Sequence, residues 1–482
     1  MRPAAVQRLA ALRGALDGAP SDSSDSAALL LDAVAPYFVR PGDDVVWLAL
    51  AVLNGKLPVQ SDVVRARREF RLNDPRAVLE KVAERGSRIS LRGAAPRVRV
   101  VIGATIVDVH HTATTGLATG IQRVARKTLA EWLGQHDLVT TGWTNSFDAL
   151  RELSDAEKRN AAYGTARDAR VPKLAEVVVP WRSDYILPEL AIETERTARI
   201  AALAEFSGNR TFAIGFDCVP LTSAETTGAG MGAAFSRNLV AIAHFDRVAT
   251  ISRAAAVEYS GWRLMLGSAG LTGPQIDCVF LPAEAGTATA EQIADARTSL
   301  GADDRPLVLC VGSHEPRKNH LATLAAAELL WASGREFSLA FVGGNAWGSD
   351  EFLFELERLQ DAGRPVRSIS AITDELLWGG YHAAAITVFP STNEGFGLPV
   401  AESLAVGTPV VTSNYGSMLE IAQGGGAVLV DPRDDRNIAA GIERALFAEG
   451  ENARLRAEAA ARPSRGWPDY ATELWAYFVA NG

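Results

Sequence analysis

From residue 97 onward the chain alternates short apolar runs with helical stretches. That alternation restricts it to mostly parallel sheets covered by helices on both faces. A first set reads as strands at residues 98–109, 138–143, 176–180, 211–216 and 247–252, with helices at 119–133, 193–206 and 233–245. A polar stretch at 286–305 separates it from a second set, with strands at 307–311, 339–342, 366–369, 386–389, 409–412 and 427–430. The predicted fold class is α/β, with two Rossmann-like doubly wound domains at 96–300 and 301–463. Their strands' carboxyl ends face a ligand cleft.

Residues 1–95 read as a separate helical extension, with a polar linker or cap at 21–26 and a break near Pro75. At 482 residues, 48% hydrophobic and 22% charged, the composition is that of a globular protein. The net charge of -9 argues against a general nucleic-acid binder. Cys218, Cys278 and Cys310 are scattered in apolar surroundings, as buried small hydrophobes in a reducing compartment. No secretory signal is visible, and the longest early apolar run, residues 45–53, is far short of the roughly 20 a membrane span needs. A cytoplasmic protein is expected.

The densest chemistry lies at 390–402 (Pro-Ser-Thr-Asn-Glu-Gly-Phe-Gly-Leu-Pro-Val-Ala-Glu), after a strand and into a helix. Glu394 and Glu402 stand with seven residues between them, among these Gly395, Phe396, Gly397 and Leu398. The glycines allow the backbone a close approach to a ligand, and Pro399 suits a first helical position. Glu402, placed in the first turn, would repel phosphate and is expected to accept from neutral hydroxyls such as those of a ribose. On the first strand of the second set, Gly312 opens a loop running Ser-His-Glu-Pro-Arg-Lys-Asn to residue 319. Arg317 can grip phosphate oxygens bidentately and Lys318 adds a point charge, although a solvated charged turn has the same pattern. Both segments would end on one edge of one sheet.

These residues resemble retaining glycosyltransferases of family 4, which have the GT-B fold. The resemblance covers most of 97–482 and is strongest after Pro306. It implies a nucleotide-diphosphate sugar as donor, with no metal or other cofactor. Arg317 and Lys318 would hold the diphosphate and stabilise the leaving charge. Glu394 would meet the sugar, Glu402 the ribose, and Gly312 and the 395–398 backbone would line the donor. Gly116 and Gly120, in a loop opening the first helix of the first domain, resemble a flexible loop of related enzymes. Asp217 remains where many members carry His-Asp, while Phe216 replaces the histidine. Asp217, His111 and Arg123 are the acceptor-side candidates. If the strand persists, His110 and His111 point to opposite faces. The aromatic stretch at 464–482 would cross back onto the first domain.

The resemblance further implies a glycan or polyprenyl-linked acceptor in cell-surface polysaccharide or glycolipid synthesis. The Glu-Pro-Arg-Lys-Asn loop is similar to that of enzymes using GDP-mannose. A non-catalytic binding module and a nucleotide-sugar epimerase share this fold, but the two glutamates beside two cations speak against the module. Residues 65–99 hold eleven Arg or Lys against four acids, as a solvated helical face or a peripheral contact with the inner membrane surface. The run Gly228 to Ala233 fits a loose dinucleotide fingerprint but follows a polar loop, so it reads as a turn before a helix.

Overall fold

The computed structural model describes residues 1–18, 25–88, 95–117, 119–165 and 174–480. Residues 21–24 of the expected linker, 89–94 of the basic segment and the last two residues of the chain end lie outside them.

Among the described residues the first sheet has β1 (Arg97–Val101), β2 (Thr105–Asp108), β3 (Leu138–Trp143), β4 (Leu150–Glu152), β5 (Glu176–Pro180), β6 (Asp184–Leu187), β7 (Arg210–Gly215), β8 (Arg247–Thr250) and β9 (Gln275–Cys278). Their order is β1-β5-β4-β3-β2-β6-β7-β8-β9, and β4 is antiparallel to both neighbours. The second sheet is fully parallel: β10 (Leu307–Val311), β11 (Ser338–Val342), β12 (Val366–Ile369), β13 (Ile386–Phe389), β14 (Val410–Ser413) and β15 (Ala427–Val430), in the order β12-β11-β10-β13-β14-β15. The strand order reverses between β10 and β13. Crossovers leave on opposite sides there, so the loops after these two strands open a crevice side by side.

Several sequence expectations change. The apolar run 98–109 is two strands, because Gly103 turns the chain at φ 65° and sends β1 to the sheet edge. The N-terminal helices (Pro3–Asp17, Ala27–Val34, Asp43–Asn54, Gln60–Leu72 and Pro75–Arg88) are not separate. Leu9, Leu12, Trp47, Leu53 and Leu79 share one continuous core with Val178, Tyr185 and Leu203 of the first domain. The run 45–53 belongs to the central helix of this cap, buried almost all round. The break at Pro75 is a helix start, with Asp74 Oδ2 accepting from the Ala77 N–H at 2.9 Å.

The polar stretch 286–305 contains a helix, Ala290–Ser299, capped by Thr289. It packs on the helix Asp374–Ala383, with Ala296, Leu300 and Ala302 in a core beside Leu309 and Tyr381. The second domain therefore begins before 290, not at 301.

After Ala460 the chain returns to the first domain as the helix Trp467–Trp475 and a π turn, Ala476–Ala480. Trp132 Nε1 donates to Ala471 O at 3.0 Å, and the Phe478 ring stacks on Phe212 at 5.3 Å. Leu474 is fully buried there. Leu474→Ala should cost about 3 kcal/mol, read as a lower thermal midpoint for the first domain; an unchanged midpoint would show that the chain end does not support it.

Candidate active site

The loop after β10 is tied to the loop after β13 through its backbone. Gly312 sits at φ 149°, and a Cβ at Gly343 would lie 1.9 Å from its carbonyl oxygen. A short turn, Pro316–Lys318, then brings Asn319 into the left-handed region at φ 61°. Asn319 Nδ2 donates to Pro390 O (3.1 Å) and Pro432 O (2.7 Å). Arg317 O accepts from Thr392 N and Ser391 Oγ, both at 2.9 Å. The two loops are thus held together before any side chain of the charged cluster is considered.

That cluster centres on Glu394. Arg317 Nη1 lies 2.6 Å from Glu394 Oε2 and donates to Asn393 O at 2.7 Å. Lys318 Nζ donates to Glu394 Oε1 at 2.6 Å, and Ser391 Oγ to the same oxygen at 3.0 Å. Glu315 takes Arg317 Nη2 at 3.1 Å, and the Lys318 ammonium sits 5.0 Å from the Phe389 ring centre. Gly312 lies alongside Lys318, whose Cδ would be 3.6 Å from an added Cβ. Burial pushes the Glu394 carboxyl up, but Arg317 and Lys318 outweigh it and hold it at about 2. Glu394 is therefore a carboxylate at every physiological pH. Its remaining lone pairs can accept from hydroxyls, and the remaining Lys318 donors can take anionic oxygens.

The glycine turn closes against the first domain. A Cβ on Gly395 would lie 2.6 Å from Phe216 O and 2.9 Å from Asp217 Oδ2, so the neighbouring domain itself requires glycine there. Ser252 Oγ donates to Gly395 O at 2.6 Å, and Phe396 packs edge-on against Phe280. Gly397 turns at φ 101° into the helix Leu398–Ala405. The helix starts at Leu398, so Pro399 is its second residue and Glu402 its fifth, beyond the first turn where the sequence placed it. Asp217 Oδ1 accepts from Val219 N at 3.1 Å. Burial, opposed by Arg317, pushes its carboxyl up to about 6.

Glu402 is 4% exposed. Tyr381 donates its hydroxyl to Oε2 at 2.8 Å, and Arg123 of the first domain pairs with Oε1. Burial pushes the Glu402 carboxyl up, with Arg123 opposing. Arg123, an acceptor-side candidate, is here the partner of the second glutamate. Gly120, three residues earlier, lies against the same helix, with Leu398 Cδ1 3.7 Å from an added Cβ. Gly116 is exposed in the loop before it.

His111 stands apart, at the end of β2, two strands from β7. The strand does not persist: residues 110–114 form a helical turn. His110 is buried and its Nδ1 accepts from the Trp143 N–H at 3.1 Å, while His111 pairs with Glu193. A network missed in the sequence fixes this turn. Asp108 accepts from Trp143 Nε1 (2.6 Å), Tyr185 Oη (2.5 Å) and Arg196 (3.0 Å), and Glu189 takes the His111 and Thr112 N–H groups. An acid closing a strand, with an arginine later on a buried helix face, was its available signal. Among the described residues, no group of three or more His, Cys, Asp or Glu could hold a metal ion.

Residues 292–462 match the family model for glycosyl transferases group 1. The chain is 26% identical over 371 residues to the serotype-specific mannosyltransferase WbdA of Escherichia coli, covering 73% of this chain and 44% of that protein. It is 37% identical over 139 residues to the O-antigen chain mannosyltransferase B of E. coli, covering 29% of this chain and 36% of that protein. The chain thus spans less than half the length of these curated relatives. Anabaena HepE in complex with UDP-glucose superposes with a TM-score of 0.56 at 12% identity, over 78% of this chain and 99% of that one. The starch synthase IV catalytic domain of Arabidopsis thaliana gives 0.53 at 13% identity, over 78% and 100%. The fold is GT-B, and residues 292–462 of the second domain are similar to glycosyl transferases group 1. Two of the proteins it resembles, each over part of its length, are mannosyltransferases.

Because the folded Asp217 titrates near 6, above the usual carboxylate range, its favourable contribution is complete at low pH. It is lost as pH rises through about 6. Asp217→Asn should therefore be more stable than wild type at pH 8, by on the order of 2 kcal/mol, and the two should converge below pH 4. Parallel unfolding curves across that range would refute the shift.

Proposed function

We propose that the protein transfers a hexose, with mannose the first candidate, from a nucleotide-diphosphate sugar to a glycan or lipid-linked acceptor. The anomeric configuration is retained, and the setting is cell-surface polysaccharide or glycolipid synthesis in the cytoplasm. The observation that carries this reading is Arg317 and Lys318 converging on Glu394 where the second sheet reverses its order, with Glu402 on the helix that follows. A diphosphate laid against Arg317 and Lys318 meets donors already oriented by Glu394, Glu315 and Asn393 O. As the glycosidic bond breaks, negative charge grows on the leaving phosphate, and fixed cations stabilise it without reorganising. This charge stabilisation lets the reaction proceed without a metal. Glu394 accepts from hydroxyls of the donor sugar through lone pairs that the cations leave free, and Glu402 accepts from the ribose.

The acceptor enters from the first-domain side, past Asp217, with His111 at the outer rim. Retention follows from attack on the face the leaving phosphate vacates, that phosphate taking the acceptor's proton. Mannose is favoured because WbdA and mannosyltransferase B are mannosyltransferases, whereas HepE was crystallised with UDP-glucose. No helix among the described residues is long and apolar enough to cross a membrane. In the basic segment, Arg67, Arg76, Lys81 and Arg99 are engaged by Asp43, Asp32, Glu69 and the Glu152–Glu176 pair. Arg65, Arg68 and Arg71 are exposed, and we assign any peripheral contact with anionic lipid to them.

Purified protein screened against GDP-mannose, UDP-glucose and other sugar nucleotides should release nucleotide with a preferred donor. Arg317→Ala should lower kcat/KM by about a hundred- to a thousandfold, and Glu394→Gln should also depress turnover. Full activity in both folded variants would overturn the site assignment.

A further inference from the structure

We infer that Arg123 is a positioning residue that exchanges Glu402 for Glu284 when a nucleotide's ribose takes Glu402. Donor occupancy in the second domain is thereby read by the first. The inference rests on the reading of Glu402 as the ribose carboxylate.

Four observations support it. First, one guanidinium faces two carboxylates from different parts of the molecule. Nη1 is on Glu402, and Nη2 lies 3.6 Å from Glu284, in the segment joining the domains. Second, both Glu402 oxygens already have protein donors and its side chain is only 5% exposed. The carboxylate keeps free lone pairs, but with so little of it open a ribose diol gains access by taking the place of one of those donors. Third, the donors differ in freedom. Tyr381 is fully buried in the core with Leu300 and Leu309, and its carbonyl is held by Thr408 Oγ1 at 2.8 Å. Arg123 is 30% exposed in the first turn of the helix Gly120–Gln135, so it is the donor that can leave. Fourth, the destination is prepared. Glu284 is oriented by Lys127 Nζ at 3.1 Å and Trp467 Nε1 at 3.0 Å, so a guanidinium released from Glu402 finds a fixed carboxylate beside it. It thus avoids the cost of an unpaired, partly buried charge.

The sign of the effect separates this role from simple support of Glu402. If Arg123 competes with the ribose, removing it makes Glu402 easier to reach. If Arg123 merely holds Glu402 in place, removing it weakens binding. Calorimetric titration of the full chain should therefore compare UDP and GDP with their 2′,3′-dideoxy analogues and with inorganic pyrophosphate. Arg123→Gln should tighten the nucleoside diphosphate that wild type prefers by about tenfold. It should leave the dideoxy analogue and pyrophosphate unchanged. Glu284→Gln, which removes the destination, should move the same affinity in the opposite direction. Arg123→Lys, which keeps the charge, should stay near wild type, and Arg123→Gln should have no effect in a Glu402→Gln background. Equal or weaker nucleotide binding by Arg123→Gln, with a melting temperature near wild type, would overturn the exchange. Arg317→Ala provides the separate control: if it does not weaken pyrophosphate, the site reading fails. If it does and Arg123→Gln still fails to tighten the nucleotide, only the exchange fails.

Discussion

Two cations held against one buried carboxylate organise the cleft. Alone, Glu394 would be costly to bury, and Arg317 and Lys318 would be two more unpaired charges. Together they satisfy one another only if the loops after β10 and β13 lie at a fixed separation. The hydrogen bonds that Arg317 O accepts from Ser391 Oγ and Thr392 N, and those that Asn319 Nδ2 donates to the Pro390 and Pro432 carbonyls, set that separation. The same geometry leaves positive charge fixed where a leaving diphosphate would develop negative charge. Stability and chemistry therefore draw on one constraint, the reversal of strand order in the second sheet.

The second domain was largely legible in the sequence. Glycines, prolines and charged residues crowd the ends of its strands, where turns and ligands impose requirements that few other residues meet. What the sequence withheld is pairing over distance. Arg123 and Glu402 are 279 residues apart, and nothing local to either reveals the other. Gly395 looked like a ligand-facing glycine, yet its tightest neighbour is a backbone carbonyl from the other domain, Phe216 O. The Asp108, Glu189 and Arg196 network escaped notice for a related reason. Each residue alone reads as a solvated charge, and only the folded sheet brings them into the same dry volume.

Two misreadings share another cause. The stretch 286–305 is polar in composition, and the helix within it presents only a narrow apolar face to the core, so its periodicity is weak. The N-terminal helices looked independent because no strand pattern links them to the sheet that starts at Arg97. They nonetheless complete the first domain's core, and the wholly apolar run around Trp47 and Leu50 required such a partner. Composition shows where the texture changes; it does not show which textures share a core.

The chain passes between the domains twice, once through the segment containing Glu284 and once where it returns at Trp467. These passages are bonded to each other by Trp467 Nε1 and Glu284 at 3.0 Å. A single connecting segment acts as a swivel, leaving one body free to twist, slide and tip relative to the other. Two segments fastened side by side act as the leaves of a door hinge. Fastened in this way, the pair restrains twisting and sliding of one domain against the other more than a lone connection would.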